Sequence, residues 1–228
     1  MSIKIYADGA DLGTMAKLAP RVQGFTTNPT LMRKAGVTDY AAFAKSAIAA
    51  FPNHPISLEV FSDDIEEMDA QARKISSWGT NVHVKIPVTT TRGISCCPLV
   101  SRLARSGIKV NVTAIMAYSQ IDEVCAALDT AAAVISIFAG RIADTGRLPA
   151  PFVAEALRKR TSPQHEVLWA SPRQVMDVYT ADSIGCDIIT CTPEIIAKLA
   201  LEGQSLVEYS RETVQMFHDD AKAAGYSI

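Results

Sequence analysis

Eight short apolar runs, several rich in valine and isoleucine, alternating with longer amphipathic segments along 228 residues, predict an α/β chain closed into a (β/α)8 TIM barrel. No hairpin signal or repeated half interrupts that alternation, so the strands are expected to be parallel. The length suits one barrel domain, and a hydrophobic content of 48% is enough to fill its core. An open doubly wound sheet is the alternative. The absence of a GxGxxG turn after the first strand weighs against its dinucleotide-binding form.

The expected strands are Ile3–Ala7, Gly24–Thr26, Ser57–Val60, His83–Ile86, Val110–Val112, Val134–Phe138, Val167–Ala170 and Ile188–Thr190. Between them, 64–78 carries the clearest helical stripe, with Ile65, Met68, Ala72 and Ile75 at spacings of three and four. Residues 119–128 and 193–201 repeat that pattern, while Cys96-Cys97-Pro98 is expected to interrupt the fourth helix. No linker or composition break divides residues 1–228, which therefore read as one domain. An additional amphipathic segment at 205–224 is expected to pack on a barrel face or on a neighbouring subunit.

Charge is nearly balanced, 22 Lys+Arg against 24 Asp+Glu, so no global field would recruit nucleic acid. No apolar run reaches membrane-span length, and the N-terminus lacks the build of a signal peptide. A soluble, cytoplasmic protein is expected. The five cysteines include the adjacent pair Cys96 and Cys97 and read as small buried hydrophobes rather than a disulfide framework. Neither they nor the four histidines show metal-ligand spacing, so no metal is expected.

Barrel chemistry sits at the C-terminal strand ends, and polar residues gather there on every strand. They are Asp8, then Thr26 with Asn28, Glu59, Lys85, Asn111 with Thr113, Ser136 followed by Arg141, Ser171 with Arg173, and Thr190 with Thr192. Lys85, in VHVKIP, must either snorkel to solvent or point into the barrel. Inside, desolvation favours the neutral amine that attacks a carbonyl; the plain alternative is a salt-bridged edge lysine. Asp8 and Glu59 are candidate acid/base groups, although Asp8 before Gly9 could merely cap the first helix. Arg141, Arg173 and Ser171 form a candidate phosphate clamp on the later loops, unless each arginine is only a surface ion-pair partner.

The motifs DGAD (Asp8–Asp11), GFTTNPTL (Gly24–Leu31), SLEV (Ser57–Val60), VKIP (Val84–Pro87), NVTAI (Asn111–Ile115), IFAGRIADTG (Ile137–Gly146) and ASPR (Ala170–Arg173) follow in order. In that series the chain resembles the transaldolase family, in the compact subfamily that also contains the fructose-6-phosphate aldolases. The resemblance covers nearly the whole chain and implies a class I aldolase-type barrel. It implies that Lys85 forms a Schiff base with a ketose phosphate, needing no other cofactor. Glu59 and Thr113 would handle the protons of that step, and Asp8 would deprotonate the hydroxyl beside the scissile bond. Thr26, Asn28, Asn111, Ser136 and Phe138 would line the substrate site, with Asn28, Asn111 and Ser136 on the donor's hydroxyls. Arg141, Ser171 and Arg173 would hold phosphate. Phosphorylated sugars and further copies of the chain, in a pentamer or decamer, are the partners implied.

Aldolase-type relatives typically carry glutamine in place of Glu59 and tyrosine in place of Phe138, and they lack the GRIADTG run. The chain sides with the transferases on all three. Ile137 and Pro172 depart from the common pattern and bear on the acceptor sugar rather than on the chemistry. A barrel that only binds a sugar phosphate, without reaction, is disfavoured because Lys85 and both carboxylates are present.

Overall fold

All eight apolar runs become strands in the computed structural model, which describes residues 1–128 and 130–228. In chain order the first half comprises β1 (Lys4–Asp8), α1 (Leu12–Leu18), β2 (Gly24–Thr26), α2 (Pro29–Lys34), α3 (Tyr40–Ala50), β3 (Ile56–Glu59), α4 (Ile65–Ser76), β4 (Val82–Pro87) and α5 (Cys97–Arg105). Then come β5 (Val110–Ile115), α6 (Tyr118–Leu128), β6 (Ala133–Ile137), α7 (Ala139–Asp144), α8 (Ala150–Lys159), β7 (His165–Trp169), α9 (Met176–Ser183), β8 (Ile188–Cys191), α10 (Pro193–Lys198) and α11 (Leu206–Ala223). The strands pair in sequence order, all parallel, and β8 closes on β1 through Ile188 and Lys4, so the open-sheet alternative falls away.

Local chemistry sets the helix starts. Asp11 caps α1 by accepting from the Thr14 amide at 2.8 Å, which leaves Asp8 free of the capping role considered for it. Asn28 caps α2 through the Leu31 amide at 2.9 Å, and Pro29 takes the first helical position, where no amide is needed. Asp64 accepts from Glu66 and Glu67 at the head of α4, whose first turn is acidic and last turn basic, complementing the helix dipole. Its buried face is Met68, Ala72 and Ile75, three of the four residues expected. The expected interruption at Cys96-Cys97-Pro98 is corrected: Pro98 lies in the first turn of α5 and starts that helix.

Both faces of the sheet are covered, so β6 and β8 are buried at every residue and show no alternation. Outward-facing Leu58, Val84, Ile86, Val110, Val112, Ile135 and Val167 lie buried against the helices. Inside the barrel, Tyr6, Val134, Leu168, Ala170 and Ile188 form one apolar cluster, with Phe138 packed against it. Gly24, opposite Tyr6 in register, makes room for that ring, because a Cβ there would stand 2.6 Å from it. Apolar filling below leaves the polar strand ends at the top as the lining of a cavity.

Residues Met1–Ile196 form one compact unit and Ala197–Ile228 a second. In the second, Ser205 caps α11, none of whose residues is buried; Leu206, Val214 and Phe217 are all exposed. No helix among the described residues is long and apolar enough to cross a membrane.

Candidate active site

Strand register brings the key residues together. Glu59 and Lys85 are direct partners across β3 and β4, and Lys85 pairs in turn with Asn111 of β5. Successive strand residues face opposite sides, so these three share the barrel interior. They line a cavity of about 420 Å³ at the C-terminal strand ends. Asp8, Thr26, Asn28, Thr113, Ser136, Phe138, Arg141 and Ser171 line the same cavity.

Lys85 is 6% exposed, which rules out the snorkelling alternative. Its Nζ donates to the Thr27 carbonyl at 3.0 Å and stands 3.1 Å from Glu59 Oε2. It is salt-bridged, but inside the barrel mouth and not at an edge. To attack a carbonyl the amine must shed a proton, and Glu59 is the acceptor within reach. The Thr113 hydroxyl is buried without a hydrogen-bond partner, a costly arrangement that suits a group meant for a ligand.

Asp8 accepts from Thr26 Oγ1 at 3.0 Å, and Thr26 is hydrogen-bonded to the Thr190 hydroxyl. Since Thr26 spends its proton on Asp8, Thr190 donates to Thr26. Loss of hydration is the largest influence on Asp8 and raises its pKa. Glu59 adds to this, while the Lys85 charge and the Thr26 hydrogen bond oppose it. A second chain runs from the Ser136 hydroxyl to Asn111 Oδ1 at 2.7 Å and from Asn111 Nδ2 to Ser57 Oγ at 3.1 Å. These bonds fix the Asn111 amide orientation and leave one Nδ2 hydrogen for a ligand.

Ala114 and Ser171 are the only non-glycine residues with positive φ among the described residues, at 64° and 57°, and both line the cavity. Such conformers cost on the order of 1–3 kcal/mol each and persist where surroundings impose them. Around Ala114 the β5–β6 register slips between Val112 and Ile115. At Ser171 the constraint comes from α7. A Cβ on Gly140 would lie 1.6 Å from the Ser171 carbonyl oxygen, so only glycine allows this approach. Gly140→Ala is therefore expected to destabilise the protein by about 1–3 kcal/mol and to displace Ser171, read as a lower melting temperature. A melting curve superimposable on the wild type's would mean that the backbone there yields freely.

Arg141, on α7, is exposed, lines the cavity and makes no ion pair among the described residues. Arg173 is placed differently from expectation. It lies outside the cavity lining, beside Gly140, with its guanidinium on the Asp144 carboxylate and its amide donating to Asp177. Ser57, which the sequence did not single out, joins the site through Asn111, and Thr190, named only as a polar strand end, joins it through Thr26. Ser57 was legible as the inward neighbour two residues before Glu59; nothing local announces that Thr190 bonds Thr26. All five cysteines are buried and free, and burial pushes the Cys186 and Cys191 thiols up to about 12. Among the described residues no group of three or more His, Cys, Asp or Glu side chains is arranged to hold a metal ion.

The architecture is shared with KGPDC from Streptococcus mutans, at a TM-score of 0.62 and 9% identity over 86% of this chain and 91% of that one. It is shared also with 3-hexulose-6-phosphate synthase from Salmonella typhimurium, at 0.60 and 16% identity over 83% and 89%. At such identities these two speak for the fold alone. A probable transaldolase of Ruegeria sp. (strain TM1040) is 32% identical over 233 residues, covering 99% of this chain and all of its own. One from Roseiflexus sp. (strain RS-1) is 35% identical over 200 residues, covering 85% and 88%. The family model described as transaldolase/fructose-6-phosphate aldolase matches residues 5–228, and the chain belongs to that family.

Proposed function

We propose that the protein is a transaldolase. It would move a dihydroxyacetone unit from a ketose phosphate, such as fructose 6-phosphate or sedoheptulose 7-phosphate, to an aldose phosphate. The observation that carries this reading is the enclosed Lys85 amine, 3.1 Å from Glu59 and in one cavity with Asp8 and the unpartnered Thr113 hydroxyl.

Lys85 Nζ adds to the ketone carbon, and its proton leaves toward Glu59. Glu59 and Thr113 then deliver protons to the carbinolamine oxygen, which departs as water and leaves a protonated imine. Asp8 takes the proton of the hydroxyl on the far carbon of the scissile bond, which becomes the carbonyl of the departing aldose. The bond breaks, its electron pair flows into the imine, and an aldose departs from an enamine held on Lys85. Addition of that enamine to an acceptor aldehyde reverses each step, Asp8 returning its proton, and water finally hydrolyses the imine. The imine is the only electron sink the scheme requires. Asn28, Asn111 and Ser136 would hold the donor hydroxyls.

Transfer is favoured over release because Phe138 faces the cavity beside the site and offers no hydrogen bond to a water that could protonate the enamine. Fructose 6-phosphate should give glyceraldehyde 3-phosphate beyond one equivalent of enzyme only when erythrose 4-phosphate is present. Release without acceptor, with free dihydroxyacetone, would mean an aldolase. No accumulation under either condition, with a borohydride-trapped dihydroxyacetone adduct, would mean other physiological sugars.

Arg141 would supply the main positive charge to the phosphate, because it lines the cavity and makes no ion pair among the described residues. A charge-assisted hydrogen bond contributes about 1.5–3 kcal/mol, so Arg141→Ala should raise KM for a phosphorylated donor roughly 10- to 100-fold. Steady-state kinetics with an unchanged KM would remove it from the phosphate site. Arg173→Ala should do less, since Asp144 already neutralises that guanidinium. The exposed apolar side chains of α11 support a homo-oligomer, for which the family resemblance implies a pentamer or decamer. Light scattering on the eluted protein tests this, and a monomer would end it.

A further inference from the structure

Behind the cavity, on the outer side of β3, the Tyr40 hydroxyl donates to the backbone carbonyl of Glu59 at 2.8 Å. Tyr40 is the first residue of α3, and its ring is fixed from two sides. Phe61 meets it edge-on with centroids 5.4 Å apart, and Trp78 packs at 6.1 Å. Together these rings line a surface groove of about 510 Å³ that shares no lining residue with the active-site cavity. Glu59 is the last residue of β3, where the strand's own pairing is about to end. Beyond it, Val60 still donates its amide to the Lys85 carbonyl at 3.1 Å, but the Glu59 carbonyl has passed the last β2–β3 pair, Thr26 with Ser57.

We propose that Tyr40 is a positioning residue that holds the end of β3 so that the Glu59 carboxylate stays within proton-transfer distance of Lys85. This inference rests on the role given to Glu59 above. The physical case is one of leverage. A side chain on a terminal strand residue inherits any motion of its own peptide, and the peptide oxygen of Glu59 is tied to the phenol and not to the β2 ladder. Proton transfer across 3.1 Å tolerates little displacement, and a misplacement of about 1 Å can reduce a rate about 10²-fold. The aromatic contacts of Tyr40 account for its ring, and its hydroxyl holds the carbonyl at the strand end.

Tyr40→Phe deletes that hydroxyl and leaves the ring packing in place. The rate of imine formation, followed by borohydride quenching in a single turnover, should fall roughly 10-fold, an order of magnitude below the about 10²-fold loss for a 1 Å displacement. KM should stay within about twofold, because the donor's hydroxyl and phosphate contacts are elsewhere. A purely structural role would lower the melting temperature and leave the imine-formation rate of the folded enzyme unchanged, and that result would overturn the proposal. Phe61→Leu, which disturbs the same aromatic cluster without touching Glu59, should leave that rate unchanged; a 10-fold loss there would assign the effect to packing and also overturn it. Glu59→Gln separates the two layers of the argument. If Glu59→Gln slows imine formation and adding Tyr40→Phe slows it no further, both readings stand. If Glu59→Gln slows it and Tyr40→Phe alone does not, only the Tyr40 inference fails. An unaffected Glu59→Gln variant would remove both.

Discussion

Lys85→Ala should abolish covalent trapping of substrate by borohydride and lower kcat by about 10⁵-fold or more. That magnitude follows from the nucleophile's position: a group held against its target acts at an effective molarity of about 10⁵–10⁸ M, and neither water nor a neighbouring hydroxyl can replace an imine as electron sink. The fold should survive. Lys85 contacts Glu59 and the Thr27 carbonyl at the floor of an open cavity, so truncation enlarges an existing space and creates no sealed void in the apolar core. Mass spectrometry of the quenched enzyme, paired with a thermal melt, tests both parts. A retained adduct on a folded variant would move the Schiff base to another lysine.

Asp8→Asn should act differently, and the contrast is informative. The imine can still form, since Lys85, Glu59 and Thr113 are untouched. On the proposed mechanism carbon–carbon cleavage loses its base, and kcat should fall about 10²- to 10⁴-fold. Trapped adduct should then retain the intact six-carbon donor, where the wild type leaves a dihydroxyacetone unit. The pH dependence follows from the raised Asp8 pKa, whose main cause is lost hydration. A base works only when ionised, so the wild-type rate should rise with pH through a value above the ordinary carboxylate value of 3.8, and the variant should lack that limb. Stability carries the opposite sign. A carboxylate whose folded-state pKa is raised is penalised in its charged form, and only in the fold. The penalty is absent below the unfolded value, grows as pH rises through the folded one, and is complete above it. Asp8→Asn should therefore melt above the wild type near neutral pH, and the gain should vanish on acidification. A variant with a lower melting temperature at neutral pH would show that the charge stabilises the fold.

Both predictions depend on residues whose candidacy is readable in the sequence alone. Lys85 stands out because a lysine in a run of valine and isoleucine has few places to go. Glu59 and Asp8 stand out as acids at strand ends. The eight strands were legible to within a few residues because each is a short apolar run bounded by turn chemistry. What misled was proline and charge. Pro98 was read as a break and proves to be a helix start, because the same missing amide is harmful inside a helix and harmless in its first turn. Arg173 was read with Arg141 as one clamp, yet Asp144, 29 residues away in sequence, engages it. Sequence spacing does not report such an ion pair.

The sequence by itself determined the alternation of strand and helix, the family, and the list of polar strand ends, since these follow from local periodicity and ordered motifs. Only the tertiary structure decided which of those ends meet. Register places Glu59 opposite Lys85, the closure of β8 on β1 brings Thr190 to Thr26 and so to Asp8, and packing against α7 holds Ser171 in its left-handed conformation. Each of these contacts joins residues far apart in the chain, and its geometry exists only once the barrel has closed.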